Sequence, residues 1–332
     1  MSVYIIAEAG VNHNGSLDLA LRLCKVAKDA GANAVKFQTW KTEKIVTKAA
    51  AMATYQQQNV KNKEQSQFEM LKSLELSYDD FKKLQVYCHQ IGIDFLSTPD
   101  EEYSLGFLSS LNLPFIKLGS GEVTNIPYLR KVGSLKKDVI LSTGMSYLSD
   151  VDIAYRTLLD AGALSVSLLH CTTNYPCSMD EVNLRAMNTL KEAFQCRVGY
   201  SDHTEGIEVP VAAAAMGAEI IEKHFTLDKA MDGPDHKASL NPFELKNMVV
   251  AIRNIEKALG NGIKSPNMSE RLISEVVIKR IVANRPIKKG EMLGSDNMTV
   301  KRSSEGLRAS LWDMVNGRIA SHDYEMDEPI MY

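Results

Sequence analysis

Two kinds of hydrophobic pattern alternate along the first 260 residues. Short apolar runs rich in β-branched residues stand at VYIIAEA (3–9), NAVKFQ (33–38), IDFLST (93–98) and PFIKLGS (114–120). They continue at DVILSTG (138–144), SVSLLHC (165–171), CRVGYSD (196–202) and AEIIEKHF (218–225). Each is apolar almost throughout, the pattern of a strand buried on both faces. Between them the apolar positions recur at helical spacing. SLDLALRLCKVAKDAG aligns Leu17, Ala20, Leu21 and Cys24 on one face, with Ser16 as N-cap and Gly31 as the stop. Comparable stretches cover 77–91, 101–111, 149–162, 184–194, 206–217 and 242–259, with a weaker one at 126–134. Strand followed by helix, eight times over, predicts an α/β chain folded as a (β/α)8 TIM barrel; an open doubly wound sheet is the alternative.

Two insertions interrupt this rhythm. Residues 40–75 are polar and too long for an ordinary strand-to-helix connection, the kind of loop that is functional or disordered. Residues 226–241, TLDKAMDGPDHKASLN, carry Gly233-Pro234 and a cluster of charges. Both follow strands, which puts them at the end of a barrel where chemistry sits. After residue 260 the pattern changes. GNGIKSPNMSE reads as linker, and short β-like runs broken by turn residues follow it. The expected organisation is a barrel over 1–262, a linker over 263–279 and a small, mostly β domain over 280–332 that leans on the barrel or on a partner chain.

Composition narrows the class of function. Of the 332 residues, 45% are hydrophobic and 24% charged, and 41 acids nearly balance 38 bases, so overall charge points to neither nucleic acid nor a membrane surface. Five cysteines without a CxxC pair suggest reduced thiols. The N-terminal apolar run is too short for a signal peptide and no stretch is long enough to span a membrane, so a cytoplasmic protein is expected.

The C-terminal ends of the strands carry the candidate chemistry. They bring Glu8; Lys36 and Gln38; Ser97 and Thr98; Lys117, Ser120 and Glu122; Ser142 and Thr143; His170 and Thr172; Ser201 and His203; and Lys223 with His224. Lys36 and Lys117, with serines flanked by glycine at 119–121, suit a small phosphate or carboxylate. Each lysine taken singly is equally well a core-edge residue paired to Glu8 or Glu122. His203 and His224 end neighbouring strands, where two neutral imidazoles suit a divalent ion acting as a Lewis acid or, equally, a hydrogen-bonded pair at the rim. His170 reads as a packed histidine outside that set. His13 and His236 lie in loops, and Asp202 is placed to orient a neighbour. No P-loop, GxGxxG, GxSxG or HExxH motif is present.

IIAEAGVNHNGS (5–16), AVKFQT (34–39), FLSTP (95–99), KLGSGE (117–122), ILSTGM (140–145), LLHCTTNYP (168–176), YSDHT (200–204), EKHFTLDK (222–229) and GPDHKAS (233–239) together resemble the sialic acid synthase family. The match runs in order through the barrel, and the tail resembles the family's antifreeze-like (SAF) domain. The resemblance implies an enzyme that condenses phosphoenolpyruvate with an N-acylated mannosamine to a nine-carbon keto acid. It implies that His203 and His224 bind a divalent metal, manganese or magnesium. It assigns Lys36, Lys117, Ser120, Ser142 and Ser201, with Thr98 beside them, to phosphoenolpyruvate. Glu8, Gln38, Glu122, Tyr175 and Asp235 match positions around the open-chain sugar, as does Asn59 in the long insertion. Arg302 matches an arginine that reaches the sugar's N-acyl group across a domain-swapped homodimer. Glu8 and Glu122 are the candidate acids and bases, with metal-activated water as the competing proton source.

Three positions depart from the family pattern: KRSSEGL (301–307) around Arg302, Asp100 after FLSTP, and PCS after Tyr175. Within the class, N-acetylneuraminate and legionaminate synthases stand as the alternatives, and nothing marks a 6-phosphorylated sugar. A metal-dependent aldolase or hydrolase on the same barrel, and a non-enzymatic carbohydrate- or ice-binding protein, are the competing functions.

Overall fold

A computed structural model describes residues 2–60 and 65–331, without the side chains of Thr54, Tyr55 and Gln58. The chain divides into two compact units, Met1–Gly260 and Asn261–Tyr332.

The first unit contains eight parallel strands: β1 (Tyr4–Gly10), β2 (Ala34–Thr39), β3 (Asp94–Pro99), β4 (Ile116–Leu118), β5 (Asp138–Ser142), β6 (Ser165–His170), β7 (Val198–Asp202) and β8 (Ile220–His224). Their order is β3-β2-β1-β8-β7-β6-β5-β4, and β3 and β4 lie side by side to complete the ring. Every strand lies beside its neighbours in sequence, with β1 joined to β8. A doubly wound sheet would instead reverse its order at an internal switch point, so the barrel is the correct alternative.

Strand side chains alternate between two faces, and here each face has its own apolar set. Ala7, Val35, Phe37, Phe95, Leu141, Leu168, Tyr200 and Ile221 point outward into the large core shared with the helices. Ile6, Ala34, Leu96, Ile140, Leu169 and Ile220 point inward and plug the barrel, with Tyr4 and Phe115 beneath them. The plug is a complete layer, so polar residues two positions further along each strand stand on an apolar floor. Gly199 in β7 allows the tightest approach in this wall, since a Cβ there would lie 2.1 Å from the Ile220 carbonyl oxygen.

Within the insertion at 40–75, the described residues 40–60 and 65–75 form a packed cap rather than an open loop. Short helices at Thr42–Ile45, Thr54–Asn59 and Gln67–Leu74 gather around Val11, Trp40, Met52, Val60, Met70 and Leu74. The last helix is fixed by a capping box, Ser66 with Glu69. Glu75 ties its end to the start of the insertion by accepting from Lys41 Nζ at 2.9 Å and from the Thr42 backbone N–H at 3.1 Å.

The second unit pairs β9 (Lys279–Ala283) with β10 (Met298–Arg302) in an antiparallel ladder. Isolated bridges, such as Ile287 with Tyr324, extend it around a core containing Ile281, Ile287, Met298, Val315 and Ile330. Within the stretch expected as a linker, Met268–Val277 forms a helix capped by Asn267 and Glu270. Its apolar residues were hidden from the linker reading by the Gly, Asn, Ser and Pro just before it.

Candidate active site

Two residues beyond the plug, the inward positions become polar. Ile6 is followed by Glu8, Ala34 by Lys36 and Gln38, Leu96 by Thr98, and Ile140 by Ser142. Ile220 is followed by Glu222 and His224, and all of these line one chamber of about 120 Å³ at the C-terminal end of the barrel. Lys117, Ser120, Tyr175, Ser201 and His203 complete that lining from the sequence-derived set.

The lysines are buried and share a carboxylate. Lys36 Nζ lies 2.7 Å from Glu8 Oε2 and donates to Thr98 Oγ1 at 2.9 Å. Lys117 Nζ donates to Ser142 Oγ at 2.8 Å and to the Leu118 carbonyl at 3.1 Å. Glu222 lies between them, 3.7 Å from Lys36 and 3.3 Å from Lys117, and accepts from Ser201 Oγ at 3.0 Å. Burial opposes ionisation of Glu222, but Lys117 and Lys36 outweigh it and hold its carboxyl down at about 2. Burial pushes Glu8 the other way, up to about 8 against the pull of Lys36, with the Glu222 charge adding to the rise. One carboxylate is therefore a fixed anion while its neighbour keeps a proton near neutral pH, the separation that acid–base work requires. Burial also draws the Lys117 ammonium below its ordinary range.

Two features hold the anion side in place. The turn Ser120–Glu122 follows β4, and Ser120 Oγ accepts from the Gly144 N–H at 2.9 Å. A Cβ on Gly144 would stand 3.0 Å from that oxygen and 2.2 Å from Thr173 Oγ1, so the approach needs glycine. On the other side the β1–β2 register shifts between Glu8 and Gly10. Gly10 takes a φ of +51°, the left-handed region that favours glycine, and a Cβ there would lie 3.4 Å from both Glu8 Oε1 and the His224 ring.

His203 and His224 converge, their ring centroids 5.5 Å apart, with Tyr175 packed 4.1 Å from the His203 ring. His203 Nδ1 lies 2.7 Å from the Thr172 carbonyl. A carbonyl only accepts, so Nδ1 carries the proton and Nε2 keeps its lone pair, the arrangement that orients metal-binding histidines. His224 Nδ1 is buried without a hydrogen-bond partner, 3.8 Å from Asp235 Oδ2. Burial lowers both imidazoles below their usual range, His224 most strongly, and keeps them neutral. Neutral rings with one fixed tautomer and one orphaned nitrogen suit a divalent ion whose remaining positions go to water or substrate. Among the described residues, no group of three or more His, Cys, Asp or Glu is arranged to hold a metal.

The other expected residues fall elsewhere. Glu122 does not line the chamber; it is half-buried and accepts from Asn125 Nδ2 at 2.7 Å. Asn59 Nδ2 donates to the Pro234 carbonyl at 2.7 Å and so joins the two insertions. Asp235 borders a side chamber beside His224, and burial pushes its carboxyl up to about 6. Arg302 ends β10 in the second unit and is exposed. Lys223 faces away from the chamber, where it pairs with Asp202 at 2.5 Å, and both are fully buried. His170 points outward as well, its Nε2 2.9 Å from the Val182 carbonyl. His236 is held between Thr226 Oγ1 at 2.6 Å and Asn14 Oδ1 at 3.1 Å, which pins the loop after β8 to the loop after β1.

Sequence reasoning missed Glu222 and Cys171, which line the chamber, and marked Asp100 only as a departure from the family pattern although it lines the chamber too. Cys171 Sγ lies 3.2 Å from Ser120 Oγ. Burial, opposed by Lys36, pushes the Asp100 carboxyl up to about 7. Two-residue alternation counted back from His224 selects Glu222 instead of Lys223, and that signal was present in the sequence.

Residues 23–264 match the NeuB family and residues 280–332 match the SAF domain. The chain is 48% identical to the N,N'-diacetyllegionaminic acid synthase of Campylobacter jejuni over 98% of each chain. It is 46% identical to the enzyme of the same name from Legionella pneumophila, over 96% of this chain and 91% of that one. The crystal structure of an N-acetylneuraminic acid (sialic acid) synthetase from Leptospira borgpetersenii, in complex with citrate, superposes with a TM-score of 0.72 at 36% identity, covering 83% of this chain and 91% of that one. No helix among the described residues is long and apolar enough to cross a membrane. With a match over most of its length and relatives nearly half identical from end to end, the chain belongs to the NeuB family and carries a SAF domain at its C-terminus.

Proposed function

We propose that the protein condenses phosphoenolpyruvate with an open-chain N-acylmannosamine-type sugar, giving N-acetylneuraminate or legionaminate and inorganic phosphate. The observation that carries this is the pair of buried lysines bridged by Glu222, next to the neutral histidine pair and a Glu8 that keeps its proton. The names of the relatives support the product class.

Lys36, Lys117, Ser120, Ser142 and Ser201 hold the phosphate and carboxylate of phosphoenolpyruvate over the apolar floor, where the weak dielectric strengthens each contact. C3 attacks the sugar's aldehyde carbon and forms the new carbon–carbon bond. Glu8 lines the chamber, unlike Glu122, and is the acid placed to protonate the emerging alkoxide. The charge of Glu222 faces the positive character that develops at C2. Water adds to C2 and loses a proton, and the C2–O bond breaks to release phosphate. A divalent ion, manganese or magnesium, would be held by His203 and His224 and supplies Lewis-acid polarisation of the aldehyde when bound.

The resemblance supplies the remainder of this reading: a domain-swapped homodimer in which Arg302 of the partner subunit reaches the sugar's acyl group. A cytoplasmic setting accords with the five free thiols. The test is to incubate the protein with phosphoenolpyruvate, manganese and each candidate sugar in turn, measuring phosphate and the mass of the keto acid. Sugar-dependent phosphate release with a matching nine-carbon acid is expected. Phosphate release without a sugar, or none with any, would refute the proposal.

A further inference from the structure

Asp100 is a carboxyl of the chamber that the reaction above leaves unused. It stands just past the end of β3, the strand between those that carry Lys36 and Lys117, and its backbone N–H donates to the Thr39 carbonyl at 3.1 Å. Its side chain lines the chamber with Thr98 and Ser120. Among the described residues it has no hydrogen-bond or ion-pair partner. The adjacent Glu101 is the opposite case. Its carboxylate caps the helix Glu102–Ser110, accepting from the N–H groups of Tyr103 at 2.5 Å and Ser104 at 2.9 Å. Of two neighbouring carboxyls, one builds the fold and the other is left for whatever enters the chamber.

The groups that face Asp100 set its charge. Burial, the largest influence, keeps its proton on and is opposed by Lys36 on β2 and Lys117 on β4. Glu122, in the turn after β4, and Glu101 add to the rise, which takes the carboxyl up to about 7. Glu8 and Glu222 lie beyond Lys36, and Tyr128, on the helix Ile126–Ser134, stays neutral while donating its hydroxyl to the Pro99 carbonyl at 2.7 Å. With Glu8 protonated, the two ammoniums exceed the Glu222 carboxylate by one charge, and that surplus draws an anion in. An ionised Asp100 would cancel it and repel an incoming phosphate or carboxylate in poorly screened surroundings. Protonated, the same group becomes a hydrogen-bond donor matched to anionic oxygen.

We propose that Asp100 is a substrate-binding residue that takes a proton from solvent as phosphoenolpyruvate enters, uses it to hydrogen-bond an anionic oxygen of that substrate, and returns it to solvent once phosphate has left. The inference rests on the synthase reading above and adds a pH dependence to its first substrate. Binding is strongest where free Asp100 is already protonated, below about 7, and weakens as pH rises through that value.

The experiment is titration calorimetry of the manganese-loaded protein with phosphoenolpyruvate, without sugar, in buffers of different ionisation enthalpy, which counts the protons taken up. The substrate's own phosphate and Glu8 titrate in every variant, so differences between proteins isolate Asp100. At about pH 8 the wild type is expected to take up about one proton more than Asp100→Asn and to bind about tenfold more weakly, because the amide is already a neutral donor. At about pH 6 the two should agree within about twofold. Asp100→Ala has no donor and should bind about tenfold more weakly than the wild type at about pH 6. The carboxyl supports no other residue, so both variants are expected to fold, which a thermal melt checks. Equal proton uptake by the wild type and Asp100→Asn under the alkaline condition would overturn the proposal, as would wild-type affinity in Asp100→Ala under the acidic one. A wild type that binds no phosphoenolpyruvate at all would sink the synthase reading itself, and this inference with it.

Discussion

Replacing Glu222 with glutamine tests how the charge of the site is balanced. The substitution keeps the shape and leaves an amide oxygen to accept from Ser201, but removes the anion that faces both lysines. Lys36 keeps Glu8 at 2.7 Å as a partner. Glu8 also ionises more readily once the Glu222 charge beside it is gone, because that charge is one of the causes of its raised pKa. Lys117 has no such reserve. Its remaining close partners are Ser142 Oγ and the Leu118 carbonyl, both neutral. Removing one partner of a buried ion pair costs about 3–5 kcal/mol, and the rescue of Lys36 puts this case near the lower end, at about 3 kcal/mol. At about 2–4 °C per kcal/mol for a unit of this size, the melting temperature should fall by roughly 6–12 °C.

The assay is a thermal melt followed by circular dichroism, with and without inorganic phosphate. Phosphate supplies the negative charge that the substituted amide lacks, so it should raise the melting temperature of Glu222→Gln more than that of the wild type. An anion at 100 times its dissociation constant contributes about 2.7 kcal/mol, enough to recover most of the loss. A variant melting within about 2 °C of the wild type would refute the reasoning, since the expected fall is about 2–4 °C per kcal/mol, as would phosphate that stabilises both proteins equally. Either result would mean that Glu222 does not balance the lysines.

Four further expectations follow from the same geometry. Glu75→Gln should destabilise the protein by about 1–3 kcal/mol, since the amide removes the charge and its single oxygen can keep only one of the two donors, Lys41 or the Thr42 backbone N–H. Although burial works against it, the contacts with Lys41, Thr42 and Lys72 depress the Glu75 carboxyl to about 2. Its contribution is therefore present above the ordinary carboxyl range and lost as pH falls toward 2, and denaturant melts of the two proteins should converge on that side only. Gly144→Ala should raise the KM for phosphoenolpyruvate at least about tenfold, because the new methyl displaces Ser120; steady-state kinetics showing an unchanged KM would contradict the assignment of Ser120. Chelation should abolish turnover and manganese restore it, with full activity in a sample shown metal-free by elemental analysis counting against the histidine pair as ligands. Truncation at about residue 280 should weaken sugar binding more than phosphoenolpyruvate binding, and an unchanged sugar KM would remove the role given to Arg302.

How much of this could be read in the sequence depends on which physical signal each part leaves. The eight strands were legible because burial on both faces makes them continuous apolar runs, and their polar ends marked the mouth of the barrel. The same continuity hid the direction of each side chain. Lys223 and Glu222 are adjacent polar residues at the end of one run, and only the two-residue alternation, read from the inward Ile220, separates the structural ion pair from the chamber wall. His203 and His224 were recognisable because their inward register coincides with the ends of neighbouring strands. The cap was opaque for a different reason. Trp40, Met52 and Val60 come from separate short segments and only Met70 and Leu74 share a helix, so no single period links the set across the polar stretch. A cluster assembled across sequence in this way leaves no continuous helical or strand signal, yet Met70 and Leu74 from it line the cavity beside the reaction chamber. Most of the chamber's polar groups therefore sit on the regular strands, where pattern reveals them. The cavity beside the chamber takes Gln56, Met70, Leu71 and Leu74 from the insertion, where only the folded structure brings them together.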